Sequence, residues 1–189
     1  ATLGRQPLPP LRRPRLLAIV SSAALAAYLA REPATRPDGF VIESPIAGGH
    51  SARPRGKMTL SGDGEPVYGP RDDLNLDAAA GVGLPFWVAG GFASPEQLKV
   101  ARSYGAAGIQ VGSAFALSRE SGMDTDLRRR LIAAAENGTL TVRNDAIASP
   151  TGFPFKIAYV SGTVAEEETF ARRSRRCDLG YLRTPYWRD

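Results

Sequence analysis

Two glycine turns and one histidine are the residues whose types and spacing suggest chemistry in this chain. Gly90-Gly91 follows the apolar run Pro85-Phe86-Trp87-Val88-Ala89, and Gly112-Ser113 follows Gly108-Ile109-Gln110-Val111. The pairs are one strand–helix unit apart, so both fall at the C-terminal ends of adjacent parallel strands. Glycine there lets the backbone come close to a ligand, and free N–H groups can point at an anion. In β/α barrels a phosphate commonly sits at the loops after the last two strands. Either pair alone reads as an ordinary tight turn. Together, in one register, they read as a phosphate site, and no GxGxxG or Walker sequence competes for the role. His50 is the single histidine and follows Gly48-Gly49 at the end of another strand. An imidazole has an ordinary pKa near 6.5, so at a catalytic rim it suits a base. On its residues alone it stays between that role and a structural one. Gln110 can face a ligand or satisfy neighbouring backbone. Glu43 and Glu120 are candidates for orienting groups, although charges at strand and loop ends are usually solvated.

The elements that must position these residues alternate in type. Leu16 to Val20 is rich in branched residues, as buried strands are, and Ala23 to Ala30 is alanine-rich, as helices are. Ser21 and Ser22 stand at the junction, where a helix takes its N-cap. Preceded by Arg12-Arg13-Pro14-Arg15, this stretch also has the outline of a secretory signal. Its division in the middle favours strand then helix, and the run is too short to span a bilayer. The next strand is Gly39 to Glu43. A polar, glycine-rich stretch from Lys57 to Asp73 reads as a loop insertion. A short helix over Asp77–Val82 leads to the strand at 85–89. Ser94, Pro95 and Gln97 mark the start of the following helix and Gly105 its end. After the strand at 108–111, a last helix runs from about Thr125 to Glu136 and stops at Asn137-Gly138.

Strand–helix alternation at this spacing predicts βαβ units and a parallel sheet, with strands covered on both faces. Val41, Val88 and Ile109 are expected to face inward. Residues 1–138 then form a partial β/α barrel, and 139–189 a turn-rich extension with short β pieces such as Phe155 to Val160. About four strands are visible, where a closed barrel takes eight in about 250 residues. An open, doubly wound sheet needs fewer, and the paired glycine turns favour the barrel.

Composition narrows the class. The chain has 189 residues, 43% hydrophobic and 23% charged, which suits a globular domain. One cysteine, Cys177, cannot form an internal disulfide and sits in the tail, where an inert role is the better reading. No Cys/His group has zinc spacing, so no metal is expected, and the pattern fits a reducing cytoplasm. The net charge is +5. Its dense basic cluster, Arg172, Arg173, Arg175 and Arg176, is flanked by Glu166, Glu167 and Glu168 without stacking aromatics. That reads as a solvated helix face rather than a nucleic-acid surface.

Three ordered stretches carry a specific resemblance: Ala47-Gly48-Gly49-His50, Pro85 to Phe92, and Gly105 to Phe115. With them go Ser149-Pro150-Thr151-Gly152-Phe153-Pro154-Phe155-Lys156 and Cys177-Asp178-Leu179-Gly180-Tyr181-Leu182-Arg183. From about Arg13 onward the sequence resembles the nitronate monooxygenase (2-nitropropane dioxygenase) family, the tail segments one branch of it. The resemblance implies the C-terminal half of a parallel (β/α)8 TIM-type barrel holding FMN without a covalent bond. Contacts would come from Gly48, Gly49, Ala89, Gly90, Gly91, Gln110, Gly112 and Ser113, the phosphate lying against the Gly90-Gly91 and Gly112-Ser113 turns. His50 would remove a proton from the carbon bearing the nitro group. The flavin would take electrons from the nitronate, and O2 would complete conversion to a carbonyl compound and nitrite. Ser113 stands where Thr is frequent. Ser51 and Arg53 stand where that branch has Asn and Pro, a departure that bears on substrate contacts.

If the glycine turns mark the last two strands, Leu16 to Val20 is about the fifth, and the chain carries half a barrel. Two other readings accompany the first. Related flavin-dependent enoyl reductases share the AGGH and glycine-turn pattern but take electrons from NAD(P)H, and the tail segments favour the monooxygenase. A catalytically inactive remnant would persist as a binding or assembly piece.

Overall fold

A computed structural model describes residues 13–149 and 151–174. Pro150, Arg175, Arg176 and the tail segment at 177–183, Cys177 included, lie outside the described residues. Four strands form one parallel sheet: β1 (Leu17–Val20), β2 (Gly39–Glu43), β3 (Phe86–Ala89) and β4 (Gly108–Gln110). Their order is β1-β2-β3-β4, each pairing with the next in sequence. A doubly wound sheet reverses its strand order partway. This one does not, as in a run of consecutive barrel units.

The helices form where the local signals put them. In α1 (Ala23–Leu29) the Ser22 hydroxyl accepts the Leu25 N–H, and in α3 (Pro95–Ser103) Ser94 accepts that of Gln97. Helix α2 (Leu76–Ala80) is capped by Asn75, one residue earlier than expected. Two elements went unseen in the sequence. Helix α4 (Ser113–Ala116) starts directly after β4, its four residues too few to show periodicity. Helix α5 (Thr125–Glu136) matches the expected span. Strand β5 (Val142–Asp145) is mostly polar and pairs antiparallel with β6 (Phe155–Ala158). The acidic–basic tail forms α6 (Glu167–Arg172), exposed and bridged by Glu168 and Arg172 at 3.2 Å. Among the described residues no helix is long and apolar enough to cross a membrane.

Register decides which side chains share a face. Ile42, Val88 and Ile109 are cross-strand partners, as are Val41, Trp87 and Gly108. The first set packs against the helices: Phe40, Ile42, Phe86 and Val88 are buried with Ala26, Leu76, Ala79 and Ala101. Helix-face alanines let the helices lie close to the sheet. The expectation that Val41, Val88 and Ile109 all face inward is therefore corrected: only Val41 does. Uninterrupted apolar runs hide the two-residue alternation of a strand, so sequence could not resolve the faces.

On the opposite face Trp87 fills the space between two glycines. A β-carbon on Gly108 would lie 3.1 Å from Trp87 Cδ1, and one on Gly39 3.3 Å from Cζ3. Small residues thus make room for one large ring. One layer nearer the strand ends, Glu43, Ala89 and Gln110 stand side by side. That layer forms the base of the site.

Candidate active site

The loops after β2, β3 and β4 converge above this layer. Ser44 N–H donates to the Ala89 carbonyl at 2.9 Å, and the Ser44 hydroxyl accepts the Ile46 N–H. The resulting turn brings Ala47 beneath the β3 loop, where Gly90 adopts φ +85° and Gly91 φ +80°. A β-carbon on Gly90 would approach Ala47 N to 2.9 Å. Only glycine accommodates both that backbone and that contact. A β-carbon on Gly48 would collide with the Ser113 hydroxyl, so this loop rests on the first turn of α4. Gly112 differs, since its β-carbon would meet nothing within 4 Å.

Between these loops lies a cavity of about 410 Å³. Gly48, Gly49, Ala89, Gly90, Gly91, Gln110, Gly112 and Ser113 all line it, with Glu43, Ile46, Phe92 and Ala114 among the other lining residues. Its size falls in the roughly 300–1,000 Å³ range of small-molecule sites. Its one ionisable lining group is Glu43, so an anion here would be met by backbone N–H groups and the Ser113 hydroxyl rather than by a cation. Glu120 lies in a short exposed turn of helix away from it.

His50 stands just beyond the glycine wall, exposed, and is not among the residues lining the cavity. Its main chain forms a β-bridge with Phe155, flanked by Lys156 N–H to Gly49 O and Ser51 N–H to Pro154 O, both 2.9 Å. Its ring meets the Phe155 ring edge-on, with centroids 4.7 Å apart. Nε2 lies 2.7 Å from the Ser149 hydroxyl. The extension after α5 therefore reaches back and builds one wall around the histidine. Ser149, Phe155 and Lys156 are site residues that spacing could not assign, being about a hundred positions away in sequence. Their one signal was the tail segment of the family resemblance.

Ser51 and Arg53 do not face the cavity. The Ser51 hydroxyl is buried, 3.2 Å from Tyr68 OH and 3.4 Å from Asn144 Oδ1. Arg53 donates twice to the Gly152 carbonyl. Both residues tie the histidine segment to the insertion and the hairpin. The departure from the family pattern thus falls on packing contacts.

Lys156 connects the hairpin to the cavity. Its ammonium donates to the Pro45 carbonyl at 2.7 Å. Burial holds its pKa below the usual lysine value, opposed by the charges of Glu65 and Glu43. Glu43 is half-buried, and desolvation raises its pKa above the ordinary 4.5, with Lys156 pulling the other way. The folded state thus binds the Glu43 proton more tightly than the unfolded state. Its contribution to stability is fully present below 4.5 and is lost as pH rises through the raised value. Glu43→Gln should therefore stabilise the ligand-free protein at neutral pH and lose that advantage in acid. Urea midpoints of the two proteins at several pH values check this, and a midpoint difference independent of pH would contradict it.

Comparison with known proteins agrees with this geometry. The nitronate monooxygenase family model matches residues 9–146, most of the chain, ending before the tail segments. A curated relative from Mycobacterium tuberculosis is 30% identical over 130 residues, 68% of this chain. It is the (3aS,4S,5R,7aS)-5-hydroxy-7a-methyl-1-oxo-octahydro-1H-indene-4-carboxyl-CoA dehydrogenase. Among solved structures, FabK from Thermotoga maritima superposes with a TM-score of 0.51 at 20% identity over 76% of this chain. The chain spans 33% of the length of the first and 39% of the second.

Proposed function

The chain belongs to the nitronate monooxygenase family, and on that premise we propose that it contributes the phosphate-binding and proton-accepting side of an FMN-dependent oxidoreductase. Its substrates are nitronates or nitroalkanes and O2, and its products a carbonyl compound and nitrite. The observation that carries this reading is the glycine-walled cavity at three adjacent parallel strand ends, with the single histidine next to it.

The residues present fit a phosphorylated cofactor. Gly112 leaves open space where a side chain would project, and Gly90 and Gly91 hold a left-handed backbone that brings main chain to the cavity edge. N–H groups at the start of a helical turn have no intrahelical acceptor and are free for phosphate oxygens. The Ser113 hydroxyl adds a donor at the same place, and Gln110 and Ala89 form the base on which the remainder of the cofactor rests. When bound, the flavin supplies the electron-accepting chemistry, which no side chain of the site can provide. His50 takes the proton from the carbon bearing the nitro group, whose C–H electron pair stays behind to form the nitronate. Gly48 and Gly49 keep the segment before His50 narrow, so that a substrate at the cavity edge can reach the ring.

The dehydrogenase relative favours a second reading, in which the same cavity and histidine serve oxidation of a hydroxylated CoA ester. The products separate the readings. Incubation with 2-nitropropane or its nitronate in air should release nitrite with O2 uptake and no need for NADH. Oxidation of a hydroxyacyl-CoA without nitrite formation would favour the second reading, and NADH consumption with an enoyl substrate would favour a reductase. In an enzyme that carries the whole barrel, absence of bound flavin would overturn the monooxygenase reading and the reductase alternative.

A further inference from the structure

We propose that Ser149 is a positioning residue that fixes the tautomer of His50 and leaves Nδ1 as the nitrogen that accepts the substrate proton. The inference rests on the reading of His50 as the base.

Ser149 is only 7% exposed, and its hydroxyl lies 2.7 Å from both His50 Nε2 and Thr151 Oγ1. It also accepts the Thr151 N–H at 3.3 Å. A serine hydroxyl has one proton to give. Given to Thr151, that proton leaves Ser149 to accept from His50 Nε2–H, and the unprotonated nitrogen is Nδ1. This arrangement survives proton uptake. When Nδ1 gains the substrate proton, Nε2–H still donates to Ser149 and Ser149 to Thr151, so no donor need turn round. The opposite arrangement, Ser149 donating to Nε2, would leave Nδ1 already protonated. The ring would then have no free nitrogen for a substrate unless the serine bond broke.

The serine is itself held from several sides. Asp145 Oδ1 accepts the Ile147 and Ala148 N–H groups at 2.8 and 2.7 Å, shaping the turn that delivers Ser149. Gly152 N–H donates to Ser149 O at 3.1 Å, while the Arg53 guanidinium holds Gly152 O from the histidine's own segment. Phe155, edge-on to the imidazole with ring centroids 4.7 Å apart, also restrains the ring. A hydroxyl fixed in this way selects one ring orientation, as partners of catalytic imidazoles do.

The chain has a single histidine, so its ring nitrogens can be read without assignment ambiguity. In protein labelled with 15N-histidine at about pH 8, above the ordinary imidazole range, Nε2 should resonate as the protonated nitrogen and Nδ1 as the unprotonated one. A spectrum dominated by protonated Nδ1, or mixed as in free imidazole, overturns the proposal. In Ser149→Ala the two signals should draw together as tautomers mix, and Ser149→Thr should restore the separation. An unchanged Ser149→Ala spectrum also overturns it. Turnover of neutral nitroalkanes by Ser149→Ala should fall in kcat by less than the ~10²–10⁴-fold of a lost general base, with nitronate turnover little affected. The expected nitrogen pattern without any nitroalkane turnover by the parent would leave the hold of Ser149 on His50 standing and defeat the proposed reaction instead.

Discussion

In an enzyme that carries the whole barrel, Gly112→Asp is expected to purify without flavin while keeping the parent's fold. The two effects have separate physical causes. Position 112 has a negative φ of −115°, so no left-handed backbone opposes a side chain there, and its β-carbon would meet no atom within 4 Å. Stability therefore has no reason to fall. The carboxylate, however, would enter the cavity in which the phosphate is proposed to lie. Two unit charges about 4 Å apart repel by about 4 kcal/mol at an effective dielectric of 20. A phosphate carries more than one charge. At about 1.4 kcal/mol per decade this weakens binding by roughly a thousandfold or more. The 450 nm absorbance after desalting, read beside circular dichroism, measures both quantities. Gly112→Ala should stay yellow. If Gly112→Asp also stays yellow, the phosphate lies elsewhere.

Gly91→Asp is a poorer probe of the same idea. Its φ is +80°, and the new β-carbon would come within 2.7 Å of Ile46 Cδ1. Loss of flavin there would mix charge with backbone strain and displacement of Ile46. Gly90 is worse again, because the atom in the way is the Ala47 main-chain nitrogen. The two glycine turns that look alike in sequence therefore do different work. The β3 turn needs glycine to let the loops meet, whereas the β4 turn has room for a small side chain and excludes only one that would fill or charge the cavity.

That difference marks the limit of what the residues alone could say. Strand and helix positions were legible wherever a local signal exists, as with the Ser94-Pro95 start of α3 and the Asn137-Gly138 stop of α5. The cavity-lining set was legible because each member lies on a strand end or the loop that follows it. Contiguous segments at equivalent positions of neighbouring strands are brought together by topology. What depends on distant contacts was hidden. Ser149 and Lys156 reach His50 and Pro45 across 99 and 111 positions, and although Phe155 to Val160 reads as a β piece, no local signal says that it folds back onto the histidine. The inward or outward sense of Val88 was hidden for another reason, since a run of apolar residues gives no cue to its register.

His50→Asn is expected to divide two substrates that differ by one proton. A neutral nitroalkane must lose the hydrogen on its nitro-bearing carbon before it can be oxidised, whereas a preformed nitronate has already lost it. Removing the base should lower kcat/KM for the nitroalkane by about 10²–10⁴, the usual general-base contribution, and leave the nitronate within a few fold. The structure makes this a usable test. The hydrogen bonds that hold position 50, from Lys156 N–H to Gly49 O and from Ser51 N–H to Pro154 O, are main-chain bonds on either side of it. They do not involve the imidazole. The substitution forfeits the Ser149 contact and the edge-on Phe155 contact, but the bridge to β6 and the glycine wall before it keep their supports. Flavin content should therefore stay at the parent level, unlike Gly112→Asp. Steady-state nitrite release from 2-nitropropane and from its nitronate, each normalised to bound flavin, gives the ratio directly. Equal losses on both substrates would assign His50 to binding or to structure, and the proton would have to be taken by another group at the cavity rim.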